Sequence, residues 1–244
     1  MRGGCFSSSN VSRFKYPLPL GEALTGVMVP MPEVVVQGVR FAYETAGDGF
    51  PLVLAPGPQG RRDVWLPYMP LLGEVCRAIA YECHEGEQGP QYGGPHTSTG
   101  AVDMLGMFLE VLGLERVYLA SQSVGWPVAL HFALQHPECL EGLVLIGAHD
   151  VEMDTVRGVM PLQTRLHEMT VPTLMLLEEQ GHAAFPYAEV LAERLPHCTK
   201  IVVSDATLAP LARVPALRLG HTMMGFLLHC ERQRHLVRGA SFLL

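Results

Sequence analysis

The chain has 244 residues, 48% of them hydrophobic and 17% charged, which excludes a disordered chain and suits one α/β domain with a full core. A formal net charge of −7, with Lys15 and Lys200 as its only lysines, gives no electrostatic footprint for nucleic acid and no polybasic membrane patch. No apolar run approaches the roughly 20 residues that span a bilayer, and residues 1–10 lack the apolar stretch of a secretory signal.

Six cysteines form no C-x-x-C pair and read as reduced thiols, which predicts a cytoplasmic protein. Eleven histidines show no H-E-x-x-H spacing, so no metal or other cofactor is expected.

In chain order, residues 1–33 carry Ser and Pro without a sustained period and read as an N-terminal extension. Residues 34–37 and 39–43 flank Gly38 as a hairpin. Residues 51–55 (PLVLA) are continuously apolar, as a buried parallel strand is. A helix is predicted over 66–72, a strand over 77–81, and a loop over the Gly- and Pro-rich 86–100. Val102, Leu105, Leu109 and Leu112 form a helical stripe within 99–112, which Gly113 ends. A strand over 117–120 and a helix over 124–136 follow. Further strands are predicted at 143–147, 173–177 and 199–204, and further helices at 188–195 and 215–229. This alternation means βαβ units, hence a mostly parallel sheet with helices on both faces. Residues 34–230 form the domain, and 231–244 read as a C-terminal tail.

The most informative stretch runs from Arg116 to Gly125, R-V-Y-L-A-S-Q-S-V-G. An apolar strand enters Ser121-Gln122-Ser123-Val124-Gly125 and leaves as a helix. A turn that doubles back on itself needs small residues on both sides of the central Ser. With P-E-C-L-E-G-L-V-L-I (137–146) and V-P-T-L-M-L-L (171–177), this segment resembles the α/β-hydrolase superfamily over residues 34–228. The resemblance implies a three-layer α/β-hydrolase fold with Ser123 as the elbow nucleophile and the Val124 N–H as an oxyanion donor.

The same resemblance exposes departures. The base expected after the last strand, counted back from Pro215, falls on Leu208, which has no proton site. The acid position after V-P-T-L-M-L-L holds His182. The oxyanion turn after PLVLA reads Pro56-Gly57-Pro58, and Pro58 has no N–H to donate. A rearranged site would use Ser123 with His182, oriented by Asp150 or Asp205. His84, His96 and His149 fall in loops near strand ends, and His221 in the last helix.

Only about 25 residues separate the 143–147 strand from Thr173, so the cap should be minimal and the cleft shallow. The leading expectation is a degenerate hydrolase acting as a binding or structural subunit. The alternatives are an esterase-like hydrolase with a rearranged Ser123–His182–Asp150 site, and a cofactor-free lyase or cyclase. The expected partner is a protein, either a second copy or another chain, with a small-molecule ligand as a further candidate. A mean hydropathy of +0.21 supports association.

Overall fold

The computed structural model describes residues 31–36, 39–56, 61–85, 98–122, 125–147, 162–178, 185–203 and 216–240. In chain order these form β1 (Glu33–Val36), β2 (Val39–Ala46), β3 (Pro51–Leu54), α1 (Met69–Leu72), β4 (Arg77–Glu85), α2 (Ser98–Val111) and β5 (Val117–Gln122). There follow α3 (Trp126–Gln135), β6 (Leu140–Ile146), α4 (Leu162–Arg165), β7 (Thr173–Glu178), α5 (Phe185–Arg194), β8 (Cys198–Val203) and α6 (Ala216–Ala240).

The strands build one sheet of eight in the order β1-β2-β4-β3-β5-β6-β7-β8. β1–β2 and β2–β4 pair antiparallel, and every pair from β4–β3 onward is parallel. The mostly parallel sheet expected from the alternation is the one observed. β5, buried along its whole length, lies near the centre between β3 and β6.

Alternation along β5 sends side chains to two cores. Val117 and Leu119 join one cluster with Phe108 of α2, Leu130 of α3 and Leu191 of α5. Tyr118 and Ala120 join another with Leu72 of α1 and with Leu219, Met223 and Leu227 of α6. The sheet is therefore covered on both faces. On the first face, Phe108 stacks on Tyr81 at 4.5 Å and on Phe41 at 5.2 Å, which fixes α2 against β4 and β2.

α2 stops where the sequence says it should. Gly113 adopts φ +66, its N–H reaches the Glu110 carbonyl, and the Leu114 N–H reaches the Leu109 carbonyl. These two hydrogen bonds, made possible by the left-handed Gly113, satisfy carbonyls the helix end leaves open.

α6 differs from its prediction. It runs 25 residues to Ala240, through the boundary set between 230 and 231. Glu231 is buried, and its Oε1 accepts a hydrogen bond from the Tyr118 hydroxyl at 2.8 Å. Residues 231–244 read as a tail, but 231–240 continue the helix: Arg232, Gln233 and His235 face out, while Glu231 and the half-buried Arg234 face β5 and β6. Cys76, Cys83, Cys198 and Cys230 carry free thiols, whereas Cys139 is disulfide-bonded, against the expectation of reduced thiols throughout. No described helix is long and apolar enough to cross a membrane.

Candidate functional site

Because β3 to β8 run parallel, their C-terminal ends share one edge of the sheet. β5 delivers Ser121 and Gln122 to that edge, paired across to Leu145 and Ile146 of β6. β3 delivers Ala55 and Pro56, with the Ala55 N–H bonded to the Ala120 carbonyl at 2.9 Å. Gly125 then caps α3, and Pro127 falls in the first helical turn, where its missing N–H costs nothing.

Gly125 approaches the ends of β5 and β3 closely. A Cβ on Gly125 would stand 2.5 Å from Ser121 Oγ and 3.5 Å from the Pro56 carbonyl oxygen. The end of β3, the end of β5 and the start of α3 thus converge on one spot. Glycine is favoured at position 125 by space beside the Ser121 hydroxyl, since its φ of −81 is ordinary.

The chain's two tryptophans frame this edge. Trp65 donates its indole N–H to the Ala55 carbonyl at 2.6 Å, just past β3. Trp126 donates to the Ile146 carbonyl at 3.2 Å, at the end of β6. They belong to opposite cores, so β5 emerges between two buried indoles. Arg62 ties the segment after β3 to β4, with Nη1 3.2 Å from Glu82 Oε2.

Ser121 Oγ and Gln122 Oε1 are buried here without a hydrogen-bond partner among the described residues. Alternation points the two side chains to opposite faces of the sheet. Buried polar atoms of this kind are uncommon in folded proteins.

The residues named from sequence as the reacting groups, Ser123, Val124, His182, Asp150, Leu208 and Pro58, lie outside the described residues. So do His96, His149 and Asp205. His221 is exposed on α6, as a helix-surface residue. Sequence reasoning took Ser121 only as a small residue in place of the first glycine of the elbow, and assigned no role to Gln122 or to either tryptophan. The available signal was the placement of the two indoles, one shortly after β3 and one immediately after the elbow.

Three of the described cysteines are poor candidates for thiol chemistry. Burial pushes the Cys76 thiol up to about 12, and Cys198 and Cys230 up to about 11. At neutral pH these remain protonated and weakly nucleophilic. Among the described residues no group of three or more His, Cys, Asp and Glu could hold a metal ion. A cavity of about 660 Å³, lined by Arg116, Glu141, His197, Phe226 and His229 among others, lies at the N-terminal ends of β5, β6 and β8. It is on the opposite edge from the elbow.

His131 is buried in α3, the helix that the elbow starts. Burial, aided by Arg165 of α4, holds its pKa below the ordinary histidine value. The unfolded chain therefore takes up the proton first as pH falls, so stability is lost on acidification. The expected result is a melting temperature that drops more steeply from about pH 7 to about pH 5 in the natural chain than in His131→Gln. Equal slopes in thermal melts across that range would exclude His131 as the source.

No family model matches this chain. It is 27% identical over 147 residues to the "Putative carbamate hydrolase RutD" of Caulobacter sp. (strain K31), covering 60% of this chain and 51% of that protein. It is 29% identical over 135 residues to the 2-hydroxymuconate semialdehyde hydrolase of Pseudomonas sp. (strain CF600), covering 52% and 46%. The chain thus spans about half the length of the curated relatives it matches. Among solved structures, the enol-lactonase from Burkholderia xenovorans LB400 superposes with a TM-score of 0.67 at 15% identity, covering 81% of this chain and 100% of that one. A haloalkane dehalogenase loop variant from Bradyrhizobium elkanii superposes with a TM-score of 0.70 at 16% identity, covering 84% and 98%.

Proposed function

We propose that this chain, an α/β-hydrolase-fold protein, acts by binding a partner or ligand and does not hydrolyse esters through a Ser–His–acid triad. The observation that carries the reading is Leu208 at the position of the base. A serine hydroxyl becomes a nucleophile when a neighbour removes its proton, and a leucine side chain cannot. In a comparable triad, loss of the His costs roughly six orders of magnitude in kcat. His182 at the acid position and Pro58 in the oxyanion turn support the same conclusion. Loss of one oxyanion donor alone costs about 10²–10³ in rate. The relatives are hydrolases by name, and at their identity and coverage they speak for the scaffold.

The second reading is a hydrolase that uses Ser123 with His182 and Asp150. The close approach of Pro56, Ser121 and Gly125 on either side of Ser123 in the chain supports it. Labelling of the full chain with a fluorophosphonate separates the two. The expected result is no adduct on Ser123, and p-nitrophenyl acetate hydrolysis no faster than that of Ser123→Ala. An adduct that disappears in both Ser123→Ala and His182→Asn would replace the binding reading with the rearranged triad.

A further inference from the structure

We infer that the free edge of β8 pairs, about a two-fold axis, with β8 of a second copy of this chain. The inference rests on the sheet edge and stands whether or not the elbow is catalytic.

β8 pairs with β7 and ends the sheet, so among the described residues one row of its backbone N–H and C=O groups has no strand beside it. Such an edge is a template for another strand unless something blunts it. The usual blunting devices are proline, a bulge, or a charge standing in the way. β8 reads C-T-K-I-V-V, without proline, and its register against β7 runs from Cys198 to Val203 without a shift. Its one charge, Lys200, is drawn aside into an ion pair with Glu189 of α5.

The strand is exposed on both faces. Ile201 is 36% and Val202 42% accessible, and consecutive strand residues point to opposite sides. Apolar surface therefore flanks the open backbone row above and below. Side chains of a strand added at this edge would lie beside both.

Charge favours a second copy as that partner. The whole chain carries −7, which opposes self-association. The stretch 185–203, which comprises α5 and β8, holds Glu189 and Glu193 against Arg194 and Lys200, a formal sum of zero. This edge can meet its own image without net repulsion. An antiparallel pair centred on Ile201 sets Ile201 against Ile201 and Lys200 against Val202, so no lysine faces a lysine. Such a contact is isologous and closes at two chains.

A six-residue strand pair buries less than the roughly 1,200–2,000 Å² of a stable interface, so α5, packed beside β8, must also meet its counterpart. The other sheet edge is a poorer candidate. β1 has four residues, and pairing it with β8 of another copy would be head-to-tail and open-ended.

Sedimentation velocity on the full chain over a concentration series tests the pairing. The expected mass is twice the 26.7 kDa of one chain. The double variant Ile201→Lys/Val202→Lys should sediment as one chain over the same concentrations, with an unchanged circular-dichroism spectrum. Hydrogen exchange on the natural chain provides a second reading that needs no variant. Amides of β8 should be protected at high concentration and lose that protection on dilution. A natural chain that stays monomeric throughout would overturn the inference and turn attention to residues 1–30 as the cover of this edge. A dimer that survives both lysines, or growth beyond two chains, would overturn it equally.

Discussion

Replacing Glu231 by alanine should destabilise the chain by about 3–5 kcal/mol, because it breaks a buried ionic network by removing one partner. Glu231 sits at the centre of that network. Its Oε1 accepts from the Tyr118 hydroxyl at 2.8 Å, and its Oε2 accepts from the Arg234 guanidinium. Arg234 also reaches Glu141 at 3.2 Å, and Glu141 in turn holds Arg116 at 2.9 Å. The set fastens the second half of α6 to the N-terminal ends of β5 and β6. Burial, with Glu231 beside it, raises the Tyr118 pKa, so its hydroxyl stays a donor across the working pH range.

Truncation to alanine leaves that buried hydroxyl without an acceptor and Arg234 with one carboxylate fewer. For a chain of this size the loss corresponds to a fall of about 6–20 °C in melting temperature. Tyr118→Phe should cost less, about 1.5–3 kcal/mol, since only a hydrogen bond to a charged group goes. Adding Tyr118→Phe to Glu231→Ala should recover part of the loss by removing the orphaned hydroxyl. Denaturant melts of the four proteins give the coupling energy, and strict additivity would show that the two residues do not act through each other.

This network shows where sequence reading stops. The strands were legible because buried parallel strands are continuous apolar runs, as in P-L-V-L and L-V-L-I. The end of α2 was legible because Gly113 carries a local signal. The far half of α6 was not. Arg232, Gln233, Arg234 and His235 are polar, and nothing within a helical turn of them reports that Glu231 meets Tyr118, 113 positions earlier in the chain. A buried acid is recognised by its partner, and the partner here comes from another element.

The elbow divides in the same way. Its small residues follow from local sterics, and the flanking strand and helix could be read from the apolar run before S-Q-S-V-G and the helical pattern after it. The hydroxyl of Ser121 looked like a mild substitute for glycine. The structure instead places it fully buried, without a partner among the described residues, and directly against the helix start. The acid, base and oxyanion positions are carried by segments that follow strand ends, and these lie outside the described residues.

That contact gives the elbow its own measurable signature. Gly125→Ala should destabilise the chain by about 1–3 kcal/mol, the usual cost of forcing an extra methyl group into a packed site. The new Cβ would lie 2.5 Å from Ser121 Oγ, while Ser121 Cβ, at 3.8 Å, is at ordinary contact distance. The obstacle is therefore one oxygen. Ser121→Ala removes it and also removes a buried hydroxyl that has no partner among the described residues, so alone it should be neutral or slightly stabilising. Combined with Gly125→Ala it should restore most of the lost stability. Thermal or urea melts of both single variants and the double variant measure this, with an expected swing of about 2–12 °C between Gly125→Ala and the natural chain. If the double variant melts as low as Gly125→Ala, the strain comes from the helix cap or from Pro56, and Ser121 has no part in holding the turn. If it recovers, the hydroxyl and the glycine are a matched pair, and the turn that carries Ser123 is set by their fit.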